Sequence, residues 1–173
     1  MLPSRAPKMG PRVGPTRRGK GTKFIAVAAG NSLPLAVSVD SASPAEWKLV
    51  EDLPAASFLD QLHASLIGDK AYDSDPLDEK LANEHGIEMI APNRRERRQN
   101  TQDGCELRRY RRRWKVEQLF AWMHNFRRLV TRWEYHVENF LGFVQLACLL
   151  RMFRHFLVSH FEFEAPRIVA WPV

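Results

Sequence analysis

A single carboxylate, Glu117, stands at the end of an arginine-rich run in which five of the six residues 108–113 are arginines. On an ideal helix of about 3.6 residues per turn, Tyr110, Arg113, Glu117 and His124 would share an arc of about 60°. One helix face would then present a phenol, a fixed cation, an acid and an imidazole. A carboxylate in such a setting can simply be a salt-bridge partner of the arginines. The alternative interpretation is a metal-binding acid beside a group that binds phosphate.

A second acidic cluster lies upstream and contains Asp69, Asp73 and Asp75. Asp69 follows the apolar run 64–68, which predicts a short strand. Ligands of open α/β sheets gather beyond the carboxyl ends of strands, so we expect this side chain to project into a cleft. If the helix of Glu117 packs across that edge, the two acids could share a divalent cation with water and phosphate oxygens. Asp73 and Asp75 are more typical of turn and helix-cap residues.

The charge is unevenly distributed along the 173 residues, whose net charge is +6. Residues 1–23 hold seven Lys or Arg and no acid, and residues 93–132 hold thirteen Lys or Arg and four acids. Between them, residues 40–90 hold twelve acids and three lysines. Basic flanks around an acidic centre are typical of a protein that grips a phosphate backbone and holds a cation in the middle. A solvated surface of mixed charge explains scattered charges but not the arginine run.

The apolar patterns predict a mixed sheet with helices on both faces. Residues 1–22 are rich in Pro, Gly and basic residues and are predicted to be irregular and mobile. The predicted elements are a hairpin of 24–29 and 35–39, helices over 44–52, 75–84, 106–126 and 137–158, and strands over 64–68 and 87–90, with a basic loop over 93–104.

Cys105 and Cys148 lack metal-binding spacing and are expected to be reduced thiols in a cytosolic protein, with Cys148 in the core. Trp114 is also expected in the core. The last helix is interrupted by Arg151 and Arg154, which favours a buried or amphipathic helix over a membrane span.

Two motifs resemble those of a known family. The segment Asp69-Lys70-Ala71-Tyr72-Asp73-Ser74-Asp75 resembles the second-aspartate motif of bacterial insertion-sequence transposases of the DDE type, in the insertion sequence four/five-like group. The spacing Tyr110-x-x-Arg113-x-x-x-Glu117 resembles the tyrosine–arginine–glutamate signature of the same family. Further short segments that resemble the family occur across residues 10–158. They include Arg18-Gly19-Lys20-Gly21-Thr22-Lys23, Phe120-Ala121-Trp122 and Asn125-Phe126-Arg127-Arg128-Leu129.

The resemblance implies a ribonuclease-H-like mixed sheet flanked by helices, and Mg²⁺- or Mn²⁺-dependent cleavage and transfer of DNA strands. It implies that Asp69 and Glu117 are the second and third catalytic acids and bind the metal. It also implies that Tyr110 and Arg113 contact DNA phosphate, with His124 at a position where the family usually has lysine. Other residues expected to contact DNA are Arg94, Arg95, Arg97, Arg98, Arg127, Arg128, Lys20 and Lys23.

The chain departs from the family at its start. In relatives, the first catalytic aspartate lies on a strand before the Gly-Lys-Gly-Thr-Lys region, whereas residues 1–8 here contain no acid. The resemblance therefore implies a carboxy-terminal fragment that lacks the first, central strand and has an incomplete metal site. Such a chain is expected to be marginally stable or to pair the two neighbouring strands directly. The expected organisation is a basic segment 1–22, a truncated catalytic-like domain 23–158 and a tail 159–173.

The function expected from the resemblance is DNA transposition in the cytoplasm, associated with the nucleoid and not with a membrane. The expected partners are transposon ends and target DNA, with a homo-oligomer or a mixed oligomer with full-length transposase as a further possibility. A catalytically inactive DNA-binding remnant or regulator of transposition is the main alternative. A basic protein that coats RNA or DNA, with no nuclease ancestry, is a third, against which the Asp69 and Glu117 motifs argue.

Overall fold

The computed structural model describes residues 2–5, 10–16, 19–50, 56–59, 65–95, 97 and 111–161. Within them the chain forms a mixed α/β structure with a four-stranded antiparallel sheet and a separate two-stranded parallel sheet. The strands are β1 (Leu2–Arg5), β2 (Gly14–Thr16), β3 (Gly19–Ala28), β4 (Pro34–Ser41), β5 (Ser65–Ile67) and β6 (Glu88–Ile90). The α-helices are α1 (Glu46–Val50), α2 (Asp75–His85), α3 (Trp114–Met123), α4 (Arg127–Val130) and α5 (Val137–Phe161).

The predicted hairpin is confirmed as β3 and β4, and β3 begins earlier than expected, at Gly19. Its register places Phe24 opposite Val39. Ser32 lies in the connecting turn with a positive φ of 63°, and its N–H bonds the carbonyl of Ala29 at 2.9 Å. The alternating apolar residues of both strands bury one set of side chains on each face of this sheet.

The prediction that residues 1–22 are irregular is wrong for the parts that the structure describes. Leu2–Arg5 and Gly14–Thr16 form strands that both pair antiparallel with β3. Residues 22–24 of β3 pair with β1 and also with β4, so these two strands occupy opposite edges of β3. The physical reason is that an exposed strand edge carries unpaired N–H and C=O groups, which favours recruitment of even a Pro-rich segment.

The single mixed sheet that the sequence predicts is divided into two sheets within the described residues. β5 pairs with β6 in parallel and has no ladder with β3. Direct pairing of the hairpin with β5, which was expected as the alternative to marginal stability, is therefore not observed in the described residues. Both strands instead border a cavity, which is described below.

The helices follow local sequence signals, with one correction. α2 ends at Gly86, which adopts a left-handed φ of 63° as a C-cap. The predicted helix over 106–126 is shorter in the structure, where a 3-10 turn at Arg111–Arg113 leads into α3. It ends at Met123 because Phe126 adopts an extended conformation and begins α4. Residues 106–110 lie outside the described part of the chain.

Two hydrophobic clusters lie on opposite faces of β3, because Phe24 belongs to one and Ile25 to the other. The first joins β3 and β4 to α3, α4 and α5 through buried Phe24, Val37, Val39, Leu119, Phe120, Met123, Leu129, Val137, Phe140, Val144, Ala147 and Cys148. The second joins them to α1, α2 and β6 through Ile25, Ala36, Leu49, Val50, Leu77, Leu81, Ile87, Met89 and Ala91. The buried position of Cys148 confirms the prediction made for it.

Helix α5 is anchored by one face only. Phe140, Val144 and Ala147 are buried in the first cluster, whereas much of the rest of the helix is exposed. Among the described elements, α5 is long and apolar enough to cross a membrane by length and composition alone.

Candidate functional site

Asp69 is positioned by a tight turn at the end of β5. The N–H of Gly68 bonds the carbonyl of Ile90 at 2.9 Å, which ties this turn to β6. A Cβ at Gly68 would collide with Met89 Cε and crowd the Tyr72 ring, so a larger residue would require these side chains to shift. Asp69 itself is extended and begins the 3-10 turn Lys70–Tyr72. The prediction that this acid follows a strand is confirmed.

Glu117 is positioned by the packing of α3 on the hairpin. Phe120 packs against Phe24 with ring centroids 5.7 Å apart, and the hydroxyl of Ser32 donates to Gln118 Oε1 at 2.7 Å. These contacts fix the rotation of α3 about its axis. Glu117 lies in the first turn of the helix, where the positive end of the helix dipole favours an acid.

Arg113 joins the two acids. Its Nη1 donates to Asp69 Oδ2 at 3.2 Å, and its Nη2 donates to Glu117 Oε1 at 2.8 Å. Asp69 lies 44 residues before Arg113 in the sequence and Glu117 lies four residues after it, so two carboxylates from different elements meet at one guanidinium. The side chains of Asp69 and Glu117 are 52% and 59% exposed, so neither acid is buried against hydrocarbon. We call these three residues the Arg113 triad.

The Arg113 triad borders a cavity of about 560 Å³. Its walls come from the β3–β4 hairpin, the strand β5 and the start of α3. Residues of β3 and β5 and apolar residues such as Val116 line the cavity, and Arg112 and Lys115 add positive charge.

The carboxylates of Asp69 and Glu117 are the candidate ligands for the divalent ion that the sequence resemblance implies. No group of three or more His, Cys, Asp or Glu side chains in the described ranges is arranged to hold a metal ion. Mg²⁺, however, is usually held by one or two protein carboxylates, with waters and substrate phosphate oxygens completing its shell. Asp69 and Glu117, both exposed and both bonded to Arg113, supply two carboxylates of such a site, whereas the family resemblance implies a third.

A second arginine–carboxylate cluster lies close by in sequence but has a different character. Arg97 forms ion pairs with Asp73 and Asp75. The backbone N–H of Arg94 also donates to Asp73 Oδ2 at 2.6 Å. We call Arg97, Asp73 and Asp75 the Arg97 triad. Asp73 is therefore more than a turn residue, and the N-cap of α2 is Ser74 instead of Asp75.

Asp78, one turn into α2, lies next to the Arg97 triad. Burial raises the pKa of Asp78 to about 6, with Asp75 and Asp73 adding to the shift and Arg97 opposing it. The raised pKa shows that Asp73, Asp75 and Asp78 lie close together, with Arg97 as the positive charge that offsets them.

The other residues expected to contact DNA are placed as follows. Arg95, Arg127, His124 and Lys20 are exposed. Arg128 pairs with Glu134 at 2.9 Å, and Lys23 Nζ donates to the carbonyl of Pro44 at 3.3 Å. Arg94 Nη2 donates to the carbonyl of Ala71 at 3.0 Å. Tyr110 and Arg98 lie outside the described residues. Contact of all these residues with DNA stays a prediction.

Sequence reasoning missed one residue and misplaced another. Arg132 is buried, and it donates hydrogen bonds to Thr22 Oγ1 and to the carbonyls of Pro11, Glu134 and Tyr135 at 2.7–3.0 Å. Burial lowers the pKa of Arg132, while Glu134 and Glu138 oppose that effect. Trp114, expected in the core, is 47% exposed and lies under the Lys115 ammonium.

Comparison with known proteins adds a family relationship. A sequence profile described as the transposase DDE domain matches residues 11–152. A protein of Burkholderia cepacia, named as a transposase for insertion sequence element IS402, is 32% identical over 153 residues. That alignment covers 83% of this chain and 68% of the relative. No solved structure matches the chain significantly.

Proposed function

The chain belongs to the transposase DDE-domain family, and we propose that the Arg113 triad is the site at which it would act on DNA. The proposed reaction is divalent-metal-dependent hydrolysis of a DNA phosphodiester, followed by attack of the freed 3′ hydroxyl on target DNA. The observation that carries this proposal is the convergence of Asp69 and Glu117 on one guanidinium at the edge of a cavity.

Each member of the Arg113 triad has a proposed role. Asp69 and Glu117 would hold Mg²⁺ or Mn²⁺, which when bound supplies activation of the attacking oxygen and stabilisation of the leaving oxygen. Arg113 would neutralise a non-bridging phosphate oxygen. Its present bonds to both acids keep the two carboxylates facing the same space, and a phosphate would compete for the same N–H groups.

DNA would approach along the basic residues around this site. Arg112 and Lys115 line the cavity itself. We propose that Tyr110, His124, Lys20, Lys23 and the arginines at 94, 95, 97, 98, 127 and 128 extend the contact along the phosphate backbone. Since such contacts release counterions, binding should weaken steeply as salt rises.

We further propose that the two acids alone give an incomplete site, as the resemblance implies. Two carboxylates offset less of the cost of dehydrating a divalent ion than three do. The cavity suggests where an additional acid could enter. Both β3 and β5 line the cavity, so an extended segment placed there could pair with either strand and carry a carboxylate towards Arg113.

The test is cleavage of supercoiled plasmid in Mg²⁺ or Mn²⁺ by the unaltered chain, Asp69→Asn and Glu117→Gln. Asp75→Asn serves as the matched control, because it removes a carboxylate of the Arg97 triad. We expect both site variants to lower the nicking rate at least about 100-fold, and the control to retain it. Equal nicking by all four proteins would remove Asp69 and Glu117 from the mechanism.

A catalytically inactive DNA-binding remnant is the second candidate. It is favoured by the ion pairs of both acids with Arg113, and by the lack of a third acid grouped with them among the residues that the structure describes. This function would show as salt-dependent DNA binding with no metal-dependent nicking above the Asp69→Asn background. A cytoplasmic, nucleoid-associated location and mixed oligomers with intact transposase belong to both proposals.

A further inference from the structure

The loop between α4 and α5 presents two aromatic side chains to solvent. Trp133 is 70% exposed and Tyr135 is 59% exposed, whereas Arg132 is buried and the Glu134 side chain is 9% exposed. This alternation over 132–135 is that of an extended segment, whose successive side chains point to opposite sides. Trp133 and Tyr135 therefore share the outward side of the loop. We call these two residues the aromatic pair.

Contacts beneath the aromatic pair hold its backbone in place. Arg132 Nε donates to the carbonyl of Glu134 at 2.8 Å, and its Nη2 donates to the carbonyl of Tyr135 at 2.7 Å. The N–H of Trp133 donates to Glu134 Oε2 at 3.1 Å. The Tyr135 ring meets the His136 ring edge-on, with centroids 5.3 Å apart. Because a rigid binding surface loses little entropy when a ligand binds, this loop is suited to recognition by its two rings.

The charges around the aromatic pair favour a polyanion. Residues 127–138 form the loop with its flanking helical turns, and residues 10–13 contact it through a bond from Arg132. These two segments contain four arginines against two glutamates. Arg128 pairs with Glu134 at 2.9 Å, yet the Arg128 side chain remains 59% exposed. Exposed rings beside arginines are typical of sites for single-stranded nucleic acid, where the rings stack on bases and the cations contact phosphate.

We propose that the aromatic pair stacks on an unpaired base of DNA, while Arg127 and Arg128 contact the adjoining phosphates. The proposal rests on the proposed action of the chain on DNA, but not on the Arg113 triad. Base faces are hidden inside a duplex, so the ligand is a base in a single strand or one displaced from a duplex. Residues i and i+2 of an extended segment are about 6.7 Å apart, and stacked bases are about 3.4 Å apart, so one base could contact both rings.

A protein partner is a less suitable occupant of the aromatic pair. Its two rings together expose about 300 Å². A standard stable interface buries about 800 Å² on each partner. The core of such an interface is also poor in charged residues, whereas charged residues flank this pair on both sides. The small area matches one base better than it matches a protein surface.

The experiment compares two single-stranded oligonucleotides of equal length by fluorescence anisotropy. One carries thymine bases, and the other is abasic and therefore has the same phosphates without the bases. The unaltered chain should bind the thymine strand about tenfold more tightly. The double variant Trp133→Ala with Tyr135→Ala should lose that preference, and Trp133→Phe with Tyr135→Phe should keep most of it. Phe153→Ala removes an exposed ring from α5 and should keep the full preference.

Equal binding of the two strands by the unaltered chain would overturn the proposal. So would a preference that survives in the double alanine variant. Circular dichroism checks that this variant is folded, as expected when two exposed side chains are shortened.

A salt series separates stacking from phosphate contact. Loss of the two rings should lower the affinity by the same factor at every salt concentration, because stacking releases no counterions. Arg127→Ala should instead reduce the slope of log affinity against log salt by about 0.7, the value for one phosphate of a single strand. If the double alanine variant changes only the slope, the loop contacts phosphate alone and the stacking site is rejected.

A duplex with one extrahelical thymine distinguishes the two sources of the base. Tighter binding to this duplex than to a fully paired one, lost in the double alanine variant, would assign the site to a displaced base. Equal binding to both duplexes, with the single-strand preference intact, would assign it to a single strand.

Two further measurements keep this proposal separate from others. Asp69→Asn should retain the preference for bases, so a failure of the Arg113 triad in cleavage leaves this result unchanged. Light scattering tests the protein alternative. A chain without any base preference, whose mass falls when the two rings are removed, would overturn the proposal and assign the aromatic pair to a protein contact.

Discussion

The Arg97 triad and the Arg113 triad use the same chemistry in two different environments. Each consists of one arginine bonded to two carboxylates. In the Arg97 triad, the side chains of Arg97 and Asp73 are only 14% and 4% exposed. In the Arg113 triad all three side chains are at least 35% exposed. The comparison teaches that residue types alone do not distinguish a structural cluster from a site; access to water and substrate does.

The largest expected effect is on folding stability and concerns Arg97. Arg97→Ala should lower the free energy of unfolding more than Arg113→Ala does, because Asp73 would remain as a largely buried charge without its ion-pair partner. Urea denaturation measures this loss, and Arg113→Ala is the matched control. If both variants lose the same stability, the distinction between the two triads is wrong.

The second expected effect is stabilisation by a divalent ion. At ten times its dissociation constant, Mn²⁺ should raise the free energy of unfolding by about 1.4 kcal/mol through mass action. Thermal unfolding with and without the ion measures the shift. Asp69→Asn should abolish it and Asp75→Asn should preserve it. A shift that survives in Asp69→Asn would place the ion elsewhere.

The third effect is a pH dependence next to the Arg97 triad. The pKa of Asp78 is raised to about 6, so the folded state binds its proton more tightly than the unfolded state does. This contribution to stability is fully present below about pH 4 and is lost as the pH rises through 6. At pH 7.5, Asp78→Asn should therefore stabilise the chain by about 1 kcal/mol, a value reduced for partial solvation of the carboxylate. Unfolding curves of both proteins at pH 4 and pH 7.5 test this prediction. The stabilisation by Asp78→Asn should be present at pH 7.5 and should vanish at pH 4.

The smallest effect on stability is expected at Arg113. Because its ion pairs are exposed, Arg113→Ala should change the free energy of unfolding by less than about 0.5 kcal/mol. Its effect on DNA binding should be larger, with the slope of log affinity against log salt reduced by about one. Fluorescence anisotropy across a salt series measures that slope. An unchanged slope would indicate that Arg113 does not contact phosphate.

The sequence predicted the parts of the site that depend on local signals. Asp69 follows a strand, the helix predicted over 75–84 is α2, and Arg113 pairs with Glu117 one helical turn away. Each of these rests on residues within a few positions of one another. The sequence analysis expected Asp69 and Glu117 to share a cation but did not predict the pairing of Asp69 with Arg113, because their separation of 44 residues gives no local signal.

The features that the sequence could not predict depend on contacts between distant residues. The strands β1 and β2 form because β3 offers an edge, although their own composition favours irregular structure. The burial of Arg132 depends on Thr22, which is 110 residues away. A buried arginine is rare enough that sequence reasoning places it on the surface by default.

The strand β3 separates the two hydrophobic clusters, and each of its side chains must face its own cluster. Phe24 belongs to one hydrophobic cluster and Ile25 to the other, so removal of a single residue between Gly21 and Phe24 would reverse the side to which every later residue of the strand points. Removal of two residues would restore the original sides. During evolution, this stretch can therefore accept substitutions that change side-chain size far more readily than it can accept insertions or deletions.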